Sequence, residues 1–156
     1  MYIKKLIPFL CLLAIWGWGC INIPTDTTQV DTTQGGDTTI TGDIILLTEE
    51  NFESMVEVPG RITMVYFYLF DCPSCIAVEK MVENLASRFS GKALVGKVDC
   101  DEEYALVDTY DPRTVPRFIF LKEGVEYARP DTPDSLDDES LASFEGTLAA
   151  LIENEL

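Results

Sequence analysis

Two cysteines separated by two residues, Cys72 and Cys75, lie where an apolar run passes into a helical pattern. The run before them, residues 64–70, is rich in the aromatic and β-branched residues typical of a buried strand. After them, apolar residues recur at intervals of three and four, which predicts a helix with one buried face: Cys75, Val78, Val82, Leu85 and Phe89. The chain must therefore fold so that a strand ends and a helix begins at a pair of thiols.

The position of Cys72 at the start of the predicted helix favours its thiolate form. Unpaired backbone N–H groups and the positive end of the helix dipole both lie there. Pro73 suits the first helical position and makes Cys72 the N-cap, while the Ser74 hydroxyl partly replaces the N–H that proline lacks. Cys75 follows one helical turn later. The pair predicts thiol–disulfide exchange, in which Cys72 attacks a substrate disulfide and Cys75 resolves the mixed disulfide.

A basic start and an apolar run at residues 6–18 predict a secretory signal over residues 1–19. The run is shorter than the roughly 20 residues of a membrane span. The Gly before Cys20 resembles a bacterial lipobox, in which Cys20 becomes the lipidated first residue. Cleavage without lipidation and an uncleaved anchor are the alternatives. The basic start predicts that the rest of the chain is extracytoplasmic, tethered to the cell membrane or, if cleaved without lipidation, secreted.

Residues 20–43 are rich in Thr, Asp, Gln and Gly, which predicts a disordered linker. Residues 44–156 follow as one domain with the order β-α-β-α-β-α-β-β-α, and Thr48 is predicted to cap the first helix. The alternation predicts an α/β fold. Its central mixed sheet would hold three parallel strands plus an antiparallel hairpin, flanked by helices on both faces.

Over residues 44–156 the sequence resembles the thioredoxin superfamily. Three features carry the resemblance: the strand–Cys-x-x-Cys–helix unit, the Thr-Val-Pro at 114–116 before a strand, and the Lys-Glu-Gly-Val at 122–125. The resemblance implies a thioredoxin-like fold in which Pro116 is cis and faces the cysteine pair. It also implies that the backbone of Val115 pairs with the substrate and that protein thiols and disulfides are the substrates.

The residues around the first cysteine depart from the family pattern. Family members commonly have Trp before that cysteine and Gly-Pro between the two, whereas this chain has Asp71, Pro73 and Ser74. The negative charge of Asp71 disfavours a neighbouring thiolate. These differences leave the direction of electron flow open between a reductase and an oxidase or isomerase.

The resemblance also assigns residues on two strands. Tyr66 occupies the position that often holds a buried acid, which helps to deprotonate the second cysteine, so the proton acceptor for Cys75 is open. Lys97 matches a lysine that faces the site and stabilises a thiolate, with a surface lysine at a strand end as the alternative. Arg117 would flank the substrate groove.

The composition of the chain limits the classes of ligand and partner that it can bind. The formal net charge is −16, or −18 without the predicted signal, which opposes binding to nucleic acid and to anionic lipid head groups. The sequence has no histidine, and in the predicted domain only Cys100 could join Cys72 and Cys75 as a ligand, so the four N or S ligands of a zinc site are not reached and no metal site is predicted. No dissociable cofactor is expected, because the dithiol is itself the redox group, and the electron donor or acceptor is unknown.

Two other functions stay open besides disulfide exchange. The main alternative is a non-catalytic interaction module with a structural disulfide, and the other is an acidic face that docks a basic partner.

Overall fold

The computed structural model describes residues 40–156. The predicted signal, Cys20 and most of the predicted linker lie outside the described residues. Over the described range the elements alternate as β1 (Ile45–Leu46), α1 (Phe52–Val56), β2 (Ile62–Tyr68), α2 (Pro73–Arg88), β3 (Ala93–Asp99), α3 (Tyr104–Tyr110), β4 (Arg117–Lys122), β5 (Val125–Ala128) and α4 (Asp138–Glu153). None of these helices is long and apolar enough to cross a bilayer.

The first helix begins later than the sequence predicts. The Thr48 N–H donates to the Asn51 side chain over 2.9 Å, and the Asn51 and Phe52 N–H groups return to the Thr48 carbonyl. Residues 48–51 are therefore closed into a turn, and Asn51 takes the N-cap position of α1. The prediction that Thr48 caps the helix is wrong, because the longer Asn side chain closes the turn back onto Thr48.

One sheet with the order β1-β3-β2-β4-β5 runs through the domain. β1 and β2 each pair with β3 in parallel, whereas β4 pairs antiparallel with β2 and with β5. The mixed sheet with three parallel strands and an antiparallel hairpin is thus confirmed. β2 lies at its centre, so the loop that leaves the carboxyl end of β2 has neighbouring strands on both sides.

Both faces of the sheet are covered. The side chains of α2 and α4 bury one face, on which Tyr66, Phe118 and Phe120 are fully enclosed. The side chains of α1 and α3 cover the other face, over Val65, Phe67 and Ile119 and their neighbours. The apolar positions of α2 that the sequence singled out are all buried, which fixes the start of α2 against the end of β2.

Candidate active site

The two cysteines lie at the N-terminus of α2. Cys72 is the N-cap in an extended conformation, and its Sγ accepts a hydrogen bond from the Cys75 N–H over 3.2 Å. Pro73 occupies the first turn of the helix, where its missing N–H leaves no broken hydrogen bond. The sulfur of Cys72 thus takes the place that a Ser or Asp oxygen usually holds at a helix start, where a negative charge is favoured.

The two thiols differ in exposure. Cys72 is half-buried, whereas Cys75 is only 3 % exposed and packs into the core beneath α2. Both are free thiols in this structure. Attack on a large substrate requires an accessible sulfur, and internal attack on a neighbouring sulfur does not. The difference in exposure therefore fits a nucleophile at Cys72 and a resolving thiol at Cys75.

The loop before β4 faces the cysteine pair. The Val115–Pro116 peptide bond is cis, and the Val115 carbonyl oxygen lies 4.0 Å from the Cys72 Sγ. Val115 is half-buried and contacts the apolar clusters on both sides of the sheet. The geometry that the resemblance implied for these two residues is present, and a substrate backbone laid along this loop would pass beside the Cys72 sulfur.

Arg117 supports this loop through its guanidinium, which is largely buried, with 14 % of the side chain exposed. It donates to the Pro112 carbonyl over 3.2 Å, to the Thr114 hydroxyl over 3.2 Å and to the Asp131 carboxylate over 2.9 Å. These bonds tie the segment before the cis bond to the loop that follows β5. The hydrogen bonds of Arg117 thus hold the loop before β4 in place, a role that the sequence did not predict.

A cavity of about 380 Å³ opens beside Cys75. Tyr66 closes its floor: its hydroxyl donates to the Cys75 carbonyl over 3.0 Å, and its ring stacks on Phe118 with centroids 5.2 Å apart. Asp71 lines the outer edge of the cavity and is exposed. Ser74, in the first turn of α2, is half-buried.

Lys97 reaches the same cavity from β3. Its Nζ lies 3.3 Å from a carboxylate oxygen of Glu79 and 5.1 Å from the centre of the Tyr68 ring. The structure therefore brings Lys97 to the cavity beside Cys75. Sequence reasoning missed Glu79, although its position four residues after Cys75 on a helix was the signal that placed both on one face.

Burial is the main cause that sets the acidity of the second thiol. Burial and a hydrogen bond with Cys72 raise the pKa of Cys75, bonds to the Leu69 backbone and to Tyr66 lower it, and together they leave it at about 11. Cys100, at the end of β3, is half-buried and its pKa is also raised to about 11, first by burial and then by Asp99 and Asp101. Both thiols are therefore held protonated at neutral pH.

Metal coordination finds no support over residues 40–156. No three His, Cys, Asp or Glu side chains in this range are grouped so that they could hold an ion.

The comparisons with known proteins agree with this architecture. Residues 43–144 match the family model described as Thioredoxin. Thioredoxin 2 of Chlorobaculum tepidum is 27 % identical over 77 residues, which are 49 % of this chain and 71 % of that protein. Thioredoxin-1 of Drosophila melanogaster is 35 % identical over 63 residues, 40 % of this chain and 59 % of that protein. A Staphylococcus aureus thioredoxin is 31 % identical over 81 residues, 52 % of this chain and 76 % of that protein.

Among solved structures, a mutant thioredoxin from Halobacterium salinarum NRC-1 superimposes with a TM-score of 0.60 at 25 % identity. The match covers 73 % of this chain and 91 % of that one. The family match spans the sheet, the cysteine pair and the loop with the cis proline. This chain belongs to the thioredoxin family of thiol–disulfide oxidoreductases.

Proposed function

We propose that this protein exchanges disulfides with other proteins through Cys72 and Cys75, on the outer side of a cell membrane to which its N-terminus tethers it. The observation that carries the catalytic part is the placement of the Cys72 sulfur. It caps a helix, is accessible, and lies 4.0 Å from the Val115 carbonyl oxygen. A sulfur that served only to form a structural disulfide would have no need of this accessible position beside the loop with the cis proline.

The chemistry balances with the two thiols alone. The Cys72 thiolate attacks one sulfur of a substrate disulfide, the substrate S–S bond breaks, and the first substrate thiolate leaves. Cys75 then loses its proton and attacks the Cys72 sulfur, and the second substrate thiolate leaves as the internal disulfide forms. The substrate gains two electrons and the protein loses two. With an oxidised protein the same steps run in reverse.

The test is an equilibrium between the full-length protein and glutathione buffers of graded potential. We expect the Cys72–Cys75 pair to exchange reversibly with glutathione. A midpoint near or below about −250 mV would assign a reductase that draws electrons from a donor, and one above about −180 mV an oxidant or isomerase. A pair that does not exchange at all would contradict the catalytic proposal and favour an interaction module with a fixed disulfide.

The location rests on the N-terminal sequence. A basic start, an apolar run and a Gly-Cys at 19–20 precede a polar segment long enough to hold the domain off a membrane. We expect the mature chain, expressed in a bacterium and extracted from its membranes, to begin at Cys20 and to carry the added mass of lipid. An intact mass that begins at Met1, or a Cys20 without lipid, would contradict lipidation.

A further inference from the structure

The resolving thiol needs a proton acceptor. Burial holds the pKa of Cys75 above its ordinary value, so this thiol is mostly protonated at pH 7. The thiolate and not the thiol attacks a disulfide, so the rate of the second step is limited by how readily Cys75 loses its proton. A base close to Cys75 would remove this limit.

Tyr66 and Lys97 do not qualify as that base. The Tyr66 hydroxyl donates to the Cys75 carbonyl, and burial raises the pKa of Tyr66 well above its ordinary value, so the phenol keeps its proton. Lys97 pairs with Glu79 as a cation and has no lone pair to offer. Two carboxylates remain among the groups that line the cavity, those of Asp71 and Glu79.

Glu79 is the better placed of the two carboxylates. Cys75 and Glu79 are four residues apart on α2 and therefore lie on one face of the helix, and both line the cavity. Lys97 holds a Glu79 oxygen at 3.3 Å, which fixes the carboxylate at the cavity wall. Asp71 is exposed in the loop before the helix. At about 380 Å³ the cavity has room for several water molecules between these polar groups.

We propose that Glu79, positioned by Lys97, accepts the proton of Cys75 through water in this cavity when Cys75 resolves the mixed disulfide. This inference rests on the proposed function. Glu79 acts through water and is thus a proton-accepting residue that does not touch the reacting sulfurs. In this chain Tyr66, on β2, occupies the position that often holds a buried acid in the family. The carboxylate that we propose as the proton acceptor, that of Glu79, lies on α2 instead.

The step balances as follows in protons and electrons. The Cys75 S–H proton passes through water to the Glu79 carboxylate, and the freed electron pair forms the bond from the Cys75 Sγ to the Cys72 Sγ. The bond between Cys72 and the substrate sulfur breaks, and the substrate leaves as a thiolate. The proton on Glu79 then returns to solvent.

The charged and titratable groups that face Cys75 from the packed elements are Tyr66 and Tyr68 on β2, Asp71 and Cys72 before α2, Glu79 on α2 and Lys97 on β3.

The test follows the two steps separately in the full-length protein. Reduced protein is mixed with glutathione disulfide, quenched with acid at intervals, alkylated and digested with trypsin. One tryptic peptide, residues 62–80, holds Cys72 and Cys75 and no other cysteine. Its mass distinguishes the dithiol, the mixed disulfide with glutathione and the internal disulfide, so the formation and the resolution of the mixed disulfide are read as two rates.

In Glu79→Gln we expect unchanged formation of the mixed disulfide and a resolution slowed on the order of 100-fold at pH 7, the low end of what general bases contribute. The deficit should shrink as the pH rises to alkaline values, because Cys75, whose pKa burial raises, then ionises without help. A purely structural role would not produce this pH profile. Glu79→Asp, which keeps a carboxylate, should recover part of the rate and serves as a second variant if Glu79→Gln is poorly folded.

Glu83→Gln is the matched control. Glu83 lies one turn further along α2, is exposed and pairs with Lys80 over 3.1 Å, so its loss should leave both rates unchanged. Wild-type resolution in Glu79→Gln, or the same slowing in Glu83→Gln, would overturn the inference. Slow resolution in Asp71→Asn with a normal Glu79→Gln would move the role to Asp71 and overturn it as well. If the wild type forms neither the mixed disulfide nor the internal disulfide on residues 62–80, the proposed function itself fails.

Discussion

Replacement of Cys72 by serine is expected to lower the rate of disulfide exchange at least about 1,000-fold, or about 4 kcal/mol of activation free energy. The hydroxyl is not ionised at neutral pH and cannot form a disulfide, so the first step has no nucleophile. The measurement is the rate at which the reduced full-length protein cleaves a disulfide that links a peptide with a fluorophore to a peptide with its quencher. Cleavage releases the fluorophore and raises its fluorescence. The variant should fold normally, because a Ser oxygen caps α2 as well as the Cys72 sulfur does.

Two further cysteine variants control this experiment. Cys75→Ser keeps the nucleophile and should form the mixed disulfide at a normal rate, but the mixed disulfide should then accumulate because no thiol resolves it. Cys100→Ser should exchange within about twofold of the wild type, since the raised pKa of Cys100 keeps that thiol protonated. Retained activity in Cys72→Ser together with a large loss in Cys100→Ser would show that the nucleophile had been misassigned.

The start of α2 was predictable because the interactions that form it are local. Pro73 after Cys72 marks the first helical position, and the apolar spacing that follows fixes which side of the helix is buried. The mixed sheet, with three parallel strands and an antiparallel hairpin, also followed from the alternation of strands and helices, since parallel neighbours require a helical crossover. These parts of the fold depend on patterns that span few residues.

The contacts that complete the site depend on the packed structure instead. Glu79 and Lys97 are 18 residues apart in the chain, and they meet only because α2 packs against β3 in the fold. Arg117 is similarly placed by the fold to reach Asp131, 14 residues further on. A charged residue on a strand is compatible with a solvent-exposed position or with a specific partner, and the sequence pattern does not distinguish the two. The sequence therefore located the sulfur pair well and the charges around it poorly.

The absence of an acid at Tyr66 changes how the inner side of the site is built. A buried carboxylate on β2 would carry a charge in the core, which is costly without a partner. Tyr66 replaces it with a neutral ring that stacks on Phe118 and a hydroxyl bonded to the Cys75 carbonyl. The charges then stand at the cavity wall, where Glu79 and Lys97 are both partly exposed. The inner wall of the site is therefore formed by packed aromatic residues, and the stability of that wall depends on their contacts.

Phe118→Ala is expected to destabilise the domain by about 3–5 kcal/mol, the usual cost of removing a buried Phe side chain. Phe118 is fully buried on β4, stacks on Tyr66 with centroids 5.2 Å apart and meets the edge of Phe144 on α4 at 5.5 Å. Its removal leaves a cavity between the sheet, α2 and α4. Since single domains are stable by about 5–15 kcal/mol, urea unfolding of the reduced protein should show a large fall in midpoint.

Phe70→Ala is the control that separates burial from side-chain type. Phe70 is 79 % exposed in the loop before Cys72, so the same truncation removes little buried area and should change the stability by less than about 0.5 kcal/mol. Phe118→Leu should fall between the two, because leucine fills part of the space but stacks on neither ring. Losses of equal size in Phe118→Ala and Phe70→Ala would contradict the packing described for the inner wall. A fall confined to Phe118 would show that aromatic packing beneath the cavity beside Cys75 stabilises the domain.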